Sequence, residues 1–192
     1  MLDTIKRASR EEEIRKKFYF TLLMLVIYRL GNNIPIPFID TQALANAYSN
    51  IEGTLVDYLN MLTGGGLSTL SIFALGVQPY ITASIVMQLL TVVIPRLEEL
   101  TREGEQGRKT IQKYTRYMTI VLAIFQAVAI TNGLYGAALS SATGFQKVAM
   151  NVVLIGGTMF VTWMGETMTE KGLGNGTSLL IFMGIIASFP RT

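Results

Sequence analysis

The amino-acid sequence predicts an all-α integral membrane protein, and three observations carry that prediction. Mean hydropathy is +0.41 and half of the residues are apolar. Charged residues make up 15% of the chain and are gathered in blocks rather than spread. The stretch from Tyr58 to Pro95 runs for 38 residues without one charge, which fits a lipid-facing chain and no ordinary soluble domain.

That uncharged stretch organises the rest. As one straight helix it would extend about 57 Å, whereas about 20 residues suffice to cross a bilayer. The break is legible: Thr63-Gly64-Gly65-Gly66 lets the backbone leave helical geometry, and Gly76 with Pro79 marks a second weak point before Tyr80. Two pieces are expected. The first, about 54–70, is too short and glycine-rich to cross; the second, about 75–94, crosses once. Non-helical backbone at membrane depth is tolerated only where protein or a water-filled cavity surrounds it, so the break predicts a cavity or pore.

Composition excludes much chemistry. The chain has no cysteine and no histidine, which removes thiol chemistry, disulfides, the usual zinc and haem ligation and a Ser-His-Asp arrangement. No cleavable signal peptide is expected, because a charged segment precedes the first apolar run.

Residues 1–17 alternate basic and acidic side chains in a helical pattern and are expected at the cytoplasmic surface, as an amphipathic segment or a solvated tail. The first span, about 18–37, follows, with Arg29 near its far end as a snorkelling anchor. Asn32 to Pro37 cannot be regular helix, since each proline removes a donor and biases its predecessor toward extended backbone. Gly31 to Asp57 holds three acids and no Lys or Arg, which places it outside. Arg96 to Arg116 holds six basic residues and reads as a cytoplasmic loop. Its run Glu103-Gly104-Glu105-Gln106-Gly107-Arg108 lacks the spacing of a phosphate-binding loop and follows no strand. Spans three (about 117–138) and four (about 148–168) come next. Gly156-Gly157 at mid-depth of the fourth suggests close helix packing rather than a ligand contact. Glu166, Glu170 and Lys171 mark a short cytoplasmic turn, and span five runs about 177–190. The three cytoplasmic segments of this five-span topology hold 13 of the 16 basic residues, as the positive-inside rule requires.

Four stretches in order resemble the SecY family of protein-conducting channels in its bacterial form. They are Ile34-Pro35-Ile36-Pro37 with Ile39-Asp40, Ser71 through Ile85, the run from Glu103 to Arg108 followed by Gln112 to Tyr117, and Trp163-Met164-Gly165-Glu166 through Thr169 to Gly176. The resemblance covers the first of two inverted-topology halves in a fold of about ten helices. It implies that the first piece of the broken stretch is a half-inserted plug, carried by Leu55, Tyr58, Leu59, Asn60, Leu62, Gly64, Gly65, Gly66 and Leu67. It also implies a pore ring at Val77, Ile81 and Ile181. Aliphatic side chains there would fit loosely around a passing polypeptide while a narrow apolar ring disfavours hydrated ions. Val77 is smaller than the isoleucine common in the family, so either a slightly wider ring or a different fit of the plug is expected. Thr82, Ile85 and Gln88 would flank the lateral gate, although Gln88 equally suits a bond to a neighbouring helix.

The implied function is the central subunit of the Sec translocase in the bacterial plasma membrane, non-enzymatic and without cofactor. The implied partners are SecE, SecG, the SecA motor ATPase, the ribosome, signal peptides and translocating polypeptides, membrane lipids and the second half of the channel. Arg102, Arg108, Lys109 and Lys113 are the candidate contacts for the soluble partners. Two rival classes remain at this point: half of a secondary transporter with a discontinuous helix, which usually needs intramembrane charges, and an intramembrane enzyme, for which Glu166 is the one acid near a span.

Overall fold

A computed structural model describes residues 12–37, 39, 41–49, 55–136, 139–140 and 142–188. Residues 1–11, Asp40, Glu52 and Thr54, and the last residues expected for span five, Phe189 and Pro190, lie outside the described residues. Among the described residues the chain is helical, apart from turns and a single antiparallel bridge between Pro35 and Ser71.

Helix α1 spans Glu12–Asn32. Glu12 and Glu13 complement the positive end of its dipole and pair one turn on with Lys16 (3.0 Å) and Lys17 (3.5 Å). It ends at Asn32, where the stretch expected not to be regular helix begins, and Ile34 and Ile36 give their backbone to another segment: Ile36 N–H donates to Leu70 O and Ile72 N–H to Ile34 O, each at 3.1 Å. Two short helices follow, α2 (Thr41–Ser49) and α3 (Leu55–Leu62). The Tyr48 hydroxyl joins them, donating to Asp57 Oδ1 at 2.5 Å. Burial first, and then that hydrogen bond, raise the Tyr48 phenol above its ordinary range.

The predicted break is an irregular segment from Thr63 to Val77. Gly64, Gly65 and Gly76 have φ of 72°, 84° and 54°, values that side-chain-bearing residues rarely adopt. Helix α4 (Gln78–Val93) starts three residues later than expected, because Gly76 is left-handed and Pro79 occupies the first turn, where its missing N–H is harmless. Its 16 residues give a length of about 24 Å, short of a bilayer core of about 30 Å. Ile94 is then extended (φ −100°, ψ 112°) ahead of Pro95, and the chain bends by 101° into α5 (Pro95–Arg102).

The stretch from Arg96 to Arg116, expected as a loop, is a helical hairpin. Gly104 (φ 75°) turns the chain and α6 starts at Glu105, running to Ala129 with a π-helical turn at Ile130–Leu134. Gly107 permits the tight return: a Cβ there would lie 1.6 Å from the Leu100 carbonyl oxygen. Helix α7 (Gly144–Lys171) starts on a capping box of Thr143 and Gln146 and runs through the turn expected at Glu166 to Lys171. Helix α8 (Gly176–Ser188) closes the described chain.

Against five expected spans, two helices among the described residues are long and apolar enough to cross a membrane, Glu105–Leu134 and Gly144–Lys171, with a third if α4 and α5 count as one bent span; α8 is apolar but shorter. Helix α7 packs on α1, α6 and α8, while α4 packs on α6. Gly157 meets the irregular segment and not another helix, since a Cβ there would lie 2.0 Å from Ile72 O; Gly156 faces open space. The expected approach of another helix is therefore replaced by contact of Gly157 with the irregular segment, and Gly156 has no close neighbour. An aromatic column crosses the same layer: Tyr28 stacks on Phe73 (6.1 Å) and Phe73 on Phe160 (5.8 Å).

Candidate functional site

Helices α4, α6, α7 and α8 surround a cavity of about 420 Å³, lined among others by Tyr80, Ile81, Ile85, Gln88, Glu166 and Ile181. A second, of about 530 Å³, lies between α4, α5 and α6 and reaches Thr101 and Arg108. The two share Tyr80, Ser84, Gln88 and Gln112. Four predicted site residues thus meet at one cavity: Ile81 and Ile181 from the ring, Ile85 and Gln88 from the gate. Val77 does not line it. It sits buried at the start of α4, in a core with Phe73, Met164 and Leu180 against which Ile81 and Ile181 also pack. The Thr82 hydroxyl turns back on its own helix and donates to Gln78 O at 3.1 Å, so Thr82 is also absent from the cavity wall.

The wall contains one buried charge. Glu166 on α7 is 6% exposed, and Arg116 on α6 grips it with both arms: Nε donates to Oε1 at 3.1 Å and Nη2 to Oε2. Gln112, one turn earlier on α6, adds Nε2 to Oε1 at 3.3 Å. A carboxylate out of water is costly unless paired and hydrogen-bonded, and the bidentate guanidinium supplies both. The sequence left Glu166 at the cytoplasmic end of span four, in a turn or in a helix-packing role, with no partner named. The available signal was the spacing of Gln112 and Arg116, which puts both on one face of α6.

The predicted plug residues divide between an exposed helix and an anchored end. Leu55 and Tyr58 are 76% and 71% exposed, whereas Leu59 packs on a core built from Leu67, Leu70, Leu75, Tyr135 and Leu154. Asn60 organises the turn: its carbonyl accepts from Gly65 N–H (2.9 Å) and its Oδ1 from Ser68 N–H (2.9 Å). Leu67 is buried, and its carbonyl accepts from the Tyr135 hydroxyl at 2.8 Å. At Leu62 and Gly64 the chain crosses α8, where a Cβ on Gly184 would lie 2.6 Å from Leu62 O and one on Gly64 would lie 3.2 Å from Gly184 Cα. A Cβ on Gly66 would sit 2.8 Å from Ser71 Oγ. Arg29, expected as a snorkelling anchor, instead donates from Nη1 to Gly64 O at 3.2 Å.

The candidate partner contacts stand on the hairpin. Arg102 pairs with Glu98 on α5 at 2.6 Å. Arg108, Lys109 and Lys113 are exposed on the first turns of α6, with Arg108 also at the edge of the larger cavity. The last family stretch forms the α7–α8 turn. A Cβ on Gly176 would lie 2.2 Å from Gly165 O, Thr169 Oγ1 accepts from Gly176 N–H at 2.9 Å, and Leu173 N–H reaches Thr21 Oγ1 on α1 at 3.2 Å.

Long apolar helices, a discontinuous segment anchored by its backbone and a cavity between helices define the class, a multi-pass helical membrane protein. The SecY family model matches residues 71–192, and the chain belongs to the SecY family. It is 48% identical over 181 residues to the protein translocase subunit SecY of Pseudomonas aeruginosa, covering 93% of this chain and 41% of that one. Against the protein translocase subunit SecY of Escherichia coli K12 the identity is 47% over 184 residues, with the same coverage. The chain therefore spans about two-fifths of the length of these curated relatives. Two solved structures share the fold at TM-score 0.64 and 20% identity: Sec61 in the canine ribosome-channel complex from the endoplasmic reticulum, and a protein-conducting channel; each match covers 93% of this chain and 38% of the other.

Proposed function

We propose that this chain supplies the pore-bearing first half of a Sec translocase channel, moving secretory proteins across, and membrane proteins into, the bacterial plasma membrane, with its N-terminus cytoplasmic. The observation that carries the reading is the meeting of Ile81 and Ile181 on one cavity and against one core with Phe73 and Val77 of the irregular segment. In this reading Leu55 to Leu67 is the plug and the five segments predicted from sequence are the spans. Ile81, Ile181 and the buried Val77 form this half's share of the ring, and α4 with Thr82, Ile85 and Gln88 flanks the lateral gate. A second half completes the pore. The exposed basic residues of the α5–α6 hairpin face the ribosome or the SecA motor, and SecE, SecG and lipid cover outer helix faces. The transporter alternative is less well supported, because the one buried carboxylate at the cavity is already neutralised by Arg116.

Site-specific crosslinking tests this. Single cysteines at Ile81 and Ile181, in the channel completed by the remainder of a relative, should capture a stalled secretory chain carrying a thiol probe. Translocation that proceeds without capture at either position would remove the pore assignment.

A further inference from the structure

Three side chains of α1 converge on the end of α3. Arg29 Nη1 donates to Gly64 O at 3.2 Å. Asn32 Nδ2 and the Tyr28 hydroxyl donate to Thr63 O at 2.9 and 3.4 Å. Thr63 and Gly64 are the first two residues beyond α3, so the bonds fall where a helix leaves carbonyls unpartnered and where its dipole is negative. Positions 28, 29 and 32 lie on one side of α1. Tyr28 and Asn32 are 1% and 4% exposed. Among the described residues no carboxylate pairs with Arg29, so backbone oxygen meets its charge. On the opposite side the same turn touches Gly184 of α8. The end of α3 is therefore held between two helices, while Leu55 and Tyr58 on its body are exposed.

We infer that Tyr28, Arg29 and Asn32 are positioning residues that latch α3 to α1 through the Thr63 and Gly64 carbonyls, with Arg29 the dominant member. A bond from a charged donor is roughly twice as strong as a neutral one, which ranks Arg29 first. The acceptors are carbonyls that water can rehydrate once the segment moves. A latch of this kind releases without stranding a buried acid, unlike the Arg116–Glu166 pair. The inference rests on the channel reading for its purpose and on the hydrogen bonds alone for its geometry.

The test uses a thiol that reports the position of α3 whether or not the assembly transports anything. The chain has no cysteine, so Leu59→Cys, in the chain completed by a cysteine-free remainder of a relative, is the only reactive site. Leu59 packs on the core, and its maleimide labelling rate measures how often α3 leaves. Arg29→Gln should raise that rate about tenfold, the shift expected from losing one charge-assisted hydrogen bond. Arg29→Lys, which keeps the charge, should raise it by less than about threefold. Labelling of Ala123→Cys on α6, fully buried and outside the core on which α3 packs, should stay at the parent rate, which separates local release from unfolding. Equal Leu59→Cys rates in the parent and Arg29→Gln would overturn the latch. So would a parallel rise at Ala123→Cys. If Arg29→Gln does not accumulate, Asn32→Leu takes its place with the same criterion. Failure to capture a secretory chain at Ile81 and Ile181 would sink the channel reading and leave the latch to stand or fall on its labelling rates.

Discussion

Two arginines in this molecule solve the same problem in different ways, and the contrast bears on the proposed division between a fixed frame and a releasable α3. Arg116 joins α6 to α7 by gripping a buried carboxylate with both arms. Arg29 joins α1 to the end of α3 by one bond to a backbone carbonyl. Breaking the first strands a charge away from water, which is costly. Breaking the second leaves groups that water can satisfy at little net cost. Charge partner, and not helix length, distinguishes the fixed frame from the releasable segment.

The largest effect expected from attacking this contrast is at the fixed end. Arg116→Met leaves Glu166 buried without its cation and should cost about 3 kcal/mol, near the low end for a broken buried pair because the guanidinium is itself half-exposed. Thermal unfolding in detergent measures it, and a loss below about 1 kcal/mol would place Arg116 with ordinary surface charges. Next comes the wall against which the irregular segment rests. Gly157→Ala sets a methyl 2.0 Å from Ile72 O and should cost about 1–3 kcal/mol through overpacking. Gly156→Ala, with nothing within 4 Å, should be neutral or stabilise by up to about 1 kcal/mol as the glycine penalty within a helix is relieved. Equal effects at the two positions would mean that α7 does not lie against the segment in this register. Tyr135→Phe removes the donor to the buried Leu67 carbonyl and should cost about 1 kcal/mol. It should also raise Leu59→Cys labelling less than Arg29→Gln does. Arg102→Ala breaks only an exposed one-turn pair and should change stability by at most about 0.5 kcal/mol. A larger loss would mean that the α5–α6 hairpin is tied to the frame through Arg102.

The sequence disclosed the membrane class, the break after Thr63 and the end of α1 before its prolines, because each depends on a local property. Glycine permits left-handed backbone, proline lacks a donor, and a run of uncharged residues leaves no doubt about its solvent. The resemblance assigned Ile81 and Ile181 to a ring and Ile85 and Gln88 to a gate, and the structure gives all four a common cavity. Val77, the third ring residue, lies off that cavity in a core against which Ile81 and Ile181 pack, and the hydroxyl of Thr82, the third gate residue, turns to its own helix. Arg96 to Arg116 reads as a loop because charge density outweighs helical periodicity in a short polar run. The hairpin forms because Gly107 lets α6 close on Leu100, a contact that no local pattern encodes.

By itself, then, the sequence determined the membrane class, where helices must break and which side chains have no business facing hydrocarbon. Only the tertiary structure decided what those side chains do. Arg29 reads as a headgroup anchor until α3 brings two carbonyls within its reach, and Glu166 reads as a turn residue until α6 brings Arg116 to it. The reason is physical: hydropathy and backbone preference are properties of a residue and its near neighbours, whereas the partner that neutralises a charge is chosen by packing between helices 35 and 50 residues apart.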